Sequence, residues 1–175
     1  EKSLVPVEVE MSSGLAGKTV VQLSAGMQHT LALTSEGEIY AWGTNHFGQL
    51  GDGRLTQRNN RPVATKLVGA LAGKRVVAVS AGSQFSLALC SDGTVAAWGG
   101  NEMGQLGAGA DTKMNLVPLA VDTSGALKGK FITQVRAGFS SSVAMSRDGE
   151  IFAWGRNAAV NLGTGAGGEL PVAVR

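Results

Sequence analysis

The sequence predicts an all-β chain, three consecutive four-stranded antiparallel blades of a β-propeller, on three observations. The first is self-similarity. Residues 25–53 read AGMQHTLALTSEGEIYAWGTNHFGQLGDG, 81–109 read AGSQFSLALCSDGTVAAWGGNEMGQLGAG and 137–165 read AGFSSSVAMSRDGEIFAWGRNAAVNLGTG, a step of 56 residues. The second is periodicity: each unit carries short runs rich in Val, Leu, Ile and Trp, bounded by glycine or polar turns, as strands do. The third is the glycine count, 26 against four prolines, which falls at fixed places in the repeat and marks many tight turns. A fixed period of four strands joined by glycine-rich loops suits blades packed about an axis. The other repeat solution, a right-handed parallel β-helix, has coils much shorter than this period.

The elements follow in order. VVQLSAG (20–26), TLALT (30–34), EIYAWG (38–43) and PVATKLV (62–68) are the four strands of the first unit. SEG, SDG and RDG join the second strand to the third in the successive units, and their glycines supply the positive φ a tight hairpin needs. SGLAGK and its copies have room for one short turn, and no stretch carries capped helical spacing. Gly26, Gly82 and Gly138, each after an alanine, allow close backbone approach where blades crowd toward the axis. Trp42, Trp98 and Trp154 are expected to pack between blades, each burying a large apolar area. Pro6, Pro62 and Pro118 keep the same step, and PVAV opens again at Pro171. Residues 1–10 therefore read as the outer strand of a preceding blade, and 11–66, 67–122 and 123–175 as blades one to three. Three blades are fewer than the four to eight of a closed ring. Further blades of a longer parent chain, or self-association of copies, must complete it. The first is favoured, because the chain begins and ends within the pattern.

Composition sets limits on function. With 43% hydrophobic and 16% charged residues the chain is globular, and its net charge of +2 is too small to argue for a phosphate-neutralising patch. Nothing indicates a nucleic-acid partner. Cys90 is the lone cysteine, so a reducing compartment and a disulfide-free secreted protein fit equally, and no signal-peptide pattern or membrane-length apolar run is present.

The combination of Ala-Gly, Leu-Ala-Leu, Trp-Gly-x-Asn and Gly-Gln-Leu-Gly resembles the repeat of the regulator of chromosome condensation family. The resemblance covers nearly the whole chain, and the linkers of the ALAGK type are similar to bacterial versions. It implies blades of this length in propellers that are typically seven-bladed. The third unit departs from the pattern, with Val160-Asn161 where Gly48-Gln49 and Gly104-Gln105 stand, and His29 gives way to Phe85 and Ser141.

Candidate chemistry is sparse. GLAGKT (14–19) ends like a phosphate-cradling loop but lacks the first glycine, and its copies ALAGKR and ALKGKF identify it as a repeat linker. Lys18, Lys74 and Lys130 share one place in the unit, where solvated loop lysines are the default and an acidic partner the alternative. His29 and His46, the only histidines, stand in no metal-ligand spacing, and Cys90 takes the slot of Thr34 and Ser146. No catalytic, metal or cofactor residue emerges.

What remains is the surface. Strand alternation brings the loop after Ala-Gly and the loop after Trp-Gly-x-Asn to one end of every blade, and these loops vary between units. They carry Met27, Gln28, His29, His46 and Phe47 in the first; Ser83, Gln84, Phe85, Glu102 and Met103 in the second; and Phe139, Ser140, Ala158 and Ala159 in the third. Functional residues gather on loops held by a rigid scaffold. The expectation is a protein-binding face with Phe47, Phe85, Met103 and Phe139 as anchors; the alternative folds these side chains into inter-blade grooves. The function expected is a non-enzymatic protein-interaction module. The resemblance also implies nucleotide exchange on a small GTPase with chromatin association, inhibition of a secreted enzyme, or ultraviolet sensing through clustered tryptophans. The last is disfavoured because Met27, Ser83 and Phe139 follow Ala-Gly.

Overall fold

The computed structural model describes residues 3–12, 14–109, 112–158, 162–163 and 169–174. Ala159, Val160 and Asn161, which sequence reasoning singled out, lie outside them. Among the described residues twelve strands form three four-stranded antiparallel sheets, each in simple chain order. The first holds β1 (Val20–Ala25), β2 (His29–Thr34), β3 (Ile39–Asn45) and β4 (Thr56–Ala64). The second holds β5 (Val76–Ala81), β6 (Phe85–Cys90), β7 (Val95–Gly100) and β8 (Met114–Ala120). The third holds β9 (Ile132–Ala137), β10 (Ser141–Ser146), β11 (Ile151–Arg156) and β12 (Glu169–Val174). One 3-10 turn, Gly69–Leu71, precedes the second sheet. Residues 3–12 pair with none of the sheets, and Glu10 meets Arg61 at 3.3 Å. No helix among the described residues is long and apolar enough to cross a membrane.

Each hairpin between a blade's second and third strands closes as its glycine predicts, with φ of 86° at Gly37, 83° at Gly93 and 80° at Gly149. The outer strand differs from expectation. β4 begins at Thr56, six residues before Pro62, through the polar run TQRNNR. An outer strand is solvated along much of its length, so pairing with β3 and not apolar alternation defines it, and that ladder is bulged between Thr44 and Asn45.

The core lies between the sheets. Along every strand alternate side chains face opposite neighbours. Leu31, Leu33, Ile39 and Ala41 of the first blade face forward onto Val79, Ala81, Ala88, Ala96 and Trp98 of the second. Phe85, Leu87, Leu89, Val95 and Ala97 face forward from the second onto Val135, Ala144, Phe152 and Trp154 of the third. The backward face of the first blade buries Ala32 and Tyr40 beneath Leu15.

Candidate functional site

Two main-chain constraints fix the loop end of each blade. Gly26 follows β1, and a methyl group added there would lie 2.2 Å from the Gly82 carbonyl of the second blade; one added at Gly82 would lie 2.9 Å from the Gly138 carbonyl of the third blade and 2.2 Å from the Phe85 ring of its own. Adjacent blades therefore approach at these glycines more closely than any side chain permits. The glycine of Trp-Gly does different work. Gly43 has φ of 111°, and a Cβ there would lie 2.4 Å from the Gln28 carbonyl. That carbonyl accepts from the Thr44 N–H at 2.8 Å, a bond repeated from Gly100 to Gln84 and from Arg156 to Ser140. The two variable loops of a blade are thus tied together at one end, as strand alternation anticipates.

The Gly-Gln-Leu-Gly loop is held from within its own blade and inserted into the next. Asn45 accepts from the Leu50 N–H at 3.1 Å, and its amide nitrogen donates to the Arg54 carbonyl at 3.0 Å. Asn101 and Asn157 accept alike from the Leu106 and Leu162 N–H groups. The Gln49 side-chain oxygen accepts from the Phe47 N–H and that of Gln105 from the Met103 N–H, both at 2.9 Å. So fixed, the Gln49 carbonyl receives the Trp98 indole N–H at 2.9 Å and the Ser86 hydroxyl at 2.8 Å from the second blade. The Gln105 carbonyl receives Trp154 and Ser142 from the third at the same two distances. Trp98 and Trp154 are fully buried, as inter-blade packing requires. Trp42 is half-buried on the open backward face of the first blade.

The predicted partner-binding residues divide. Met27, Gln28, His46, Glu102 and Phe139 are exposed at the loop end, and Phe47, Gln84 and Met103 are half-buried. His29 and Phe85 are not loop-tip residues: both are strand residues, 3% and 0% exposed, turned forward into the next blade. The loop after Ala-Gly holds only Met27-Gln28 and Ser83-Gln84, so the next residue already belongs to a strand. His29 Nε2 lies 2.8 Å from the Ser86 hydroxyl, and burial pushes its pKa down to about 4. Ser83 is buried too, its N–H donating to the Phe139 carbonyl at 3.3 Å. Met27, Ser83 and Phe139, with the alanine and glycine before each, line one concavity on the inner side of the arc. Met27 and Phe139 are 56% and 64% exposed.

The opposite end offers less. Lys18 pairs with Glu38 at 2.6 Å, Lys74 with Asp92 at 2.9 Å, and Lys130 with Glu150. The repeated lysines clamp each linker to its own hairpin, and the first pairing raises the Lys18 pKa. Cys90 is buried, and burial raises its thiol pKa, the reverse of what a reactive thiol needs. No cluster of His, Cys, Asp or Glu suited to a metal occurs among the described residues.

Comparison with known proteins fits this geometry. The model of the Regulator of chromosome condensation (RCC1) repeat matches residues 36–89 and 92–145, and a second model of that description matches 20–49, 76–105 and 132–159. The chain belongs to the RCC1 repeat family. Among relatives, it is 37% identical over 155 residues to the ultraviolet-B receptor UVR8 of Arabidopsis thaliana, covering 87% of this chain and 33% of that protein. It is 34% identical over 154 residues to the mouse (Mus musculus) E3 ubiquitin-protein ligase HERC2, covering 87% of this chain and 3% of that one. Among solved RCC1-like structures, human WBSCR16 superposes with a TM-score of 0.78 at 30% identity, covering 90% of this chain and 38% of that one. Prp20p of Saccharomyces cerevisiae, described with its binding to Gsp1p and histones, gives 0.78 at 23% identity, over 89% and 38% of the two chains. The chain thus spans a third or less of its first relatives' lengths, and the likeness to Prp20p establishes the propeller fold alone.

Proposed function

We propose that this RCC1-repeat segment is a non-enzymatic interaction module whose loop end binds a protein partner. One observation carries the reading: Met27 and Phe139 stay exposed on the rim of a concave surface, while their structural neighbours His29 and Phe85 are buried. Exposed apolar anchors ringed by polar side chains, here Gln28, His46 and Glu102, are the usual makings of a protein-binding patch. The revised face comprises Met27, Gln28, His46, Phe47, Gln84, Glu102, Met103 and Phe139. A relative that is a ubiquitin-protein ligase, and the structural neighbour Prp20p described with its binding to Gsp1p and histones, support protein binding as the general role and identify no partner. Ultraviolet reception is not carried over, because the tryptophans stand one per blade and two are sealed in separate interfaces.

The test is affinity capture with two variants, one double and one single, whose circular dichroism matches the wild type. Met27→Ser with Phe139→Ser should lose the captured partner, and Glu36→Arg at the hairpin end should keep it. The opposite pattern would overturn the assignment. A captured GTPase whose nucleotide release accelerates, or a captured enzyme that is inhibited, would narrow the role.

A further inference from the structure

At the hairpin end, the joint between the first and second blades holds a cleft of about 240 Å³ whose wall the two blades share. Val21, Val77 and the buried Leu33 are its apolar part, and Arg75 stands in the same wall. Val21 and Val77 are the extra residues of matching β-bulges, since the ladders shift between Val20 and Gln22 and between Val76 and Ala78. A bulged residue is left out of the pairing and its side chain is re-aimed. Val77 belongs to the middle blade, which has a neighbour on either side, and it is still 45% exposed. The bulge, and not an end of the chain, leaves it open.

Arg75 is held in place but not neutralised. Its stem lies along the turn of the first blade, where a methyl group added at Gly37 would come within 3.3 Å of it, and its guanidinium donates to the Ser35 carbonyl at 3.1 Å. That bond leaves most of the five donors of the fork open. The neighbouring Lys74 meets Asp92 at 2.9 Å, whereas no carboxylate among the described residues pairs with Arg75. One repeat later Phe131 takes this position, with the Arg147 guanidinium 3.9 Å from its ring centre, so an aromatic ring replaces the fork at the second joint.

Size and charge together define the occupant. Sites for whole small molecules run to roughly 300–1,000 Å³, so this smaller cleft admits about one side chain. The guanidinium shares its wall, so the anion that pairs with Arg75 must be borne by the same residue that fills the cleft. Within a polypeptide, an aliphatic side chain and a carboxylate occur on one carbon only at the last residue. We propose that this cleft binds the free C-terminus of a protein partner that ends in an aliphatic residue. The side chain packs on Val21 and Val77, and the carboxylate takes the Arg75 fork, whose planar donors match it two to two. The site is separate from the loop-end face and does not depend on it.

N-acetyl-leucine reproduces such a last residue and is the probe, read by the amide chemical shifts of the chain in two-dimensional NMR. A ligand of its size is expected to bind with a Kd on the order of 1 mM. It should shift the Ser35 and Val77 resonances saturably. N-acetyl-leucinamide, which lacks the charge, and acetate, which lacks the side chain, should not. Arg75 is exposed, so Arg75→Gln leaves the fold intact, and it should weaken binding about tenfold or more. Met27→Ser with Phe139→Ser should bind the probe like the wild type, which separates this site from the loop-end face. Equal shifts with the amide or with acetate, undiminished binding by Arg75→Gln, or no saturation at about ten times the expected Kd would overturn the proposal.

Discussion

His29 makes stability depend on pH in a window where carboxylates contribute little. Its ring is sealed between the first two blades, and burial alone lowers its pKa from 6.5 to about 4. A base whose folded pKa is depressed is neutral in the native state, while the unfolded chain takes up a proton as pH falls through the unperturbed value. Stability is therefore fully present above that value and falls as acid is added, until the folded pKa is reached. Linkage between these two pKa values puts the loss at about 2 kcal/mol on going from about pH 7 to about pH 5. Phe85 occupies the same place one repeat later, fully buried, so His29→Phe is a substitution the scaffold already accommodates. The Ser86 hydroxyl keeps its bond to the Gln49 carbonyl in that variant. Urea unfolding followed by circular dichroism at several pH values should show the wild type losing stability across this window while His29→Phe stays nearly level. Parallel profiles would refute a neutral, buried imidazole.

Other predictions rest on contrasts between equivalent positions. Trp98→Phe removes an indole N–H bonded to Gln49 and part of a buried ring, and should cost about 2 kcal/mol. Trp42→Phe, on the open face, should stay within about 0.5 kcal/mol in the same urea titration. Gly43→Ala forces a Cβ to within 2.4 Å of the Gln28 carbonyl at positive φ and should cost about 3 kcal/mol. Gly129→Ala, also at positive φ but with nothing within 4 Å, should cost about 1 kcal/mol, so equal losses at the two glycines would remove the steric argument.

The blades were legible because their signals are redundant. Alternation marks the inner strands, the glycine of each hairpin marks its turn, and three copies agree. The start of β4 was not legible: Thr56 to Arg61 form a strand by pairing with Gly43, Thr44 and Asn45, and a solvated outer strand needs no apolar pattern. The shared end of the variable loops was legible in the sequence, but which of their residues stay exposed was not. Met27 and His29 are two residues apart in the sequence, yet the strand begins between them, and a fold decides which of the two is buried. The lodging of Gly-Gln-Leu-Gly loops could not be anticipated at all. The acceptor that Trp98 and Ser86 share is a main-chain carbonyl, and a carbonyl leaves no mark in a sequence.

That arrangement bears on how such arrays change over evolutionary time. The second repeat contains both the loop that enters the third blade and the tryptophan and serine that admit the loop of the first. A tandem duplication of that unit therefore copies both halves of the joint together. The inserted blade meets compatible neighbours on either side without any compensating substitution. Blade number can drift by whole units while the joints stay constant, and divergence is then free to accumulate in the loops that the joints hold in place.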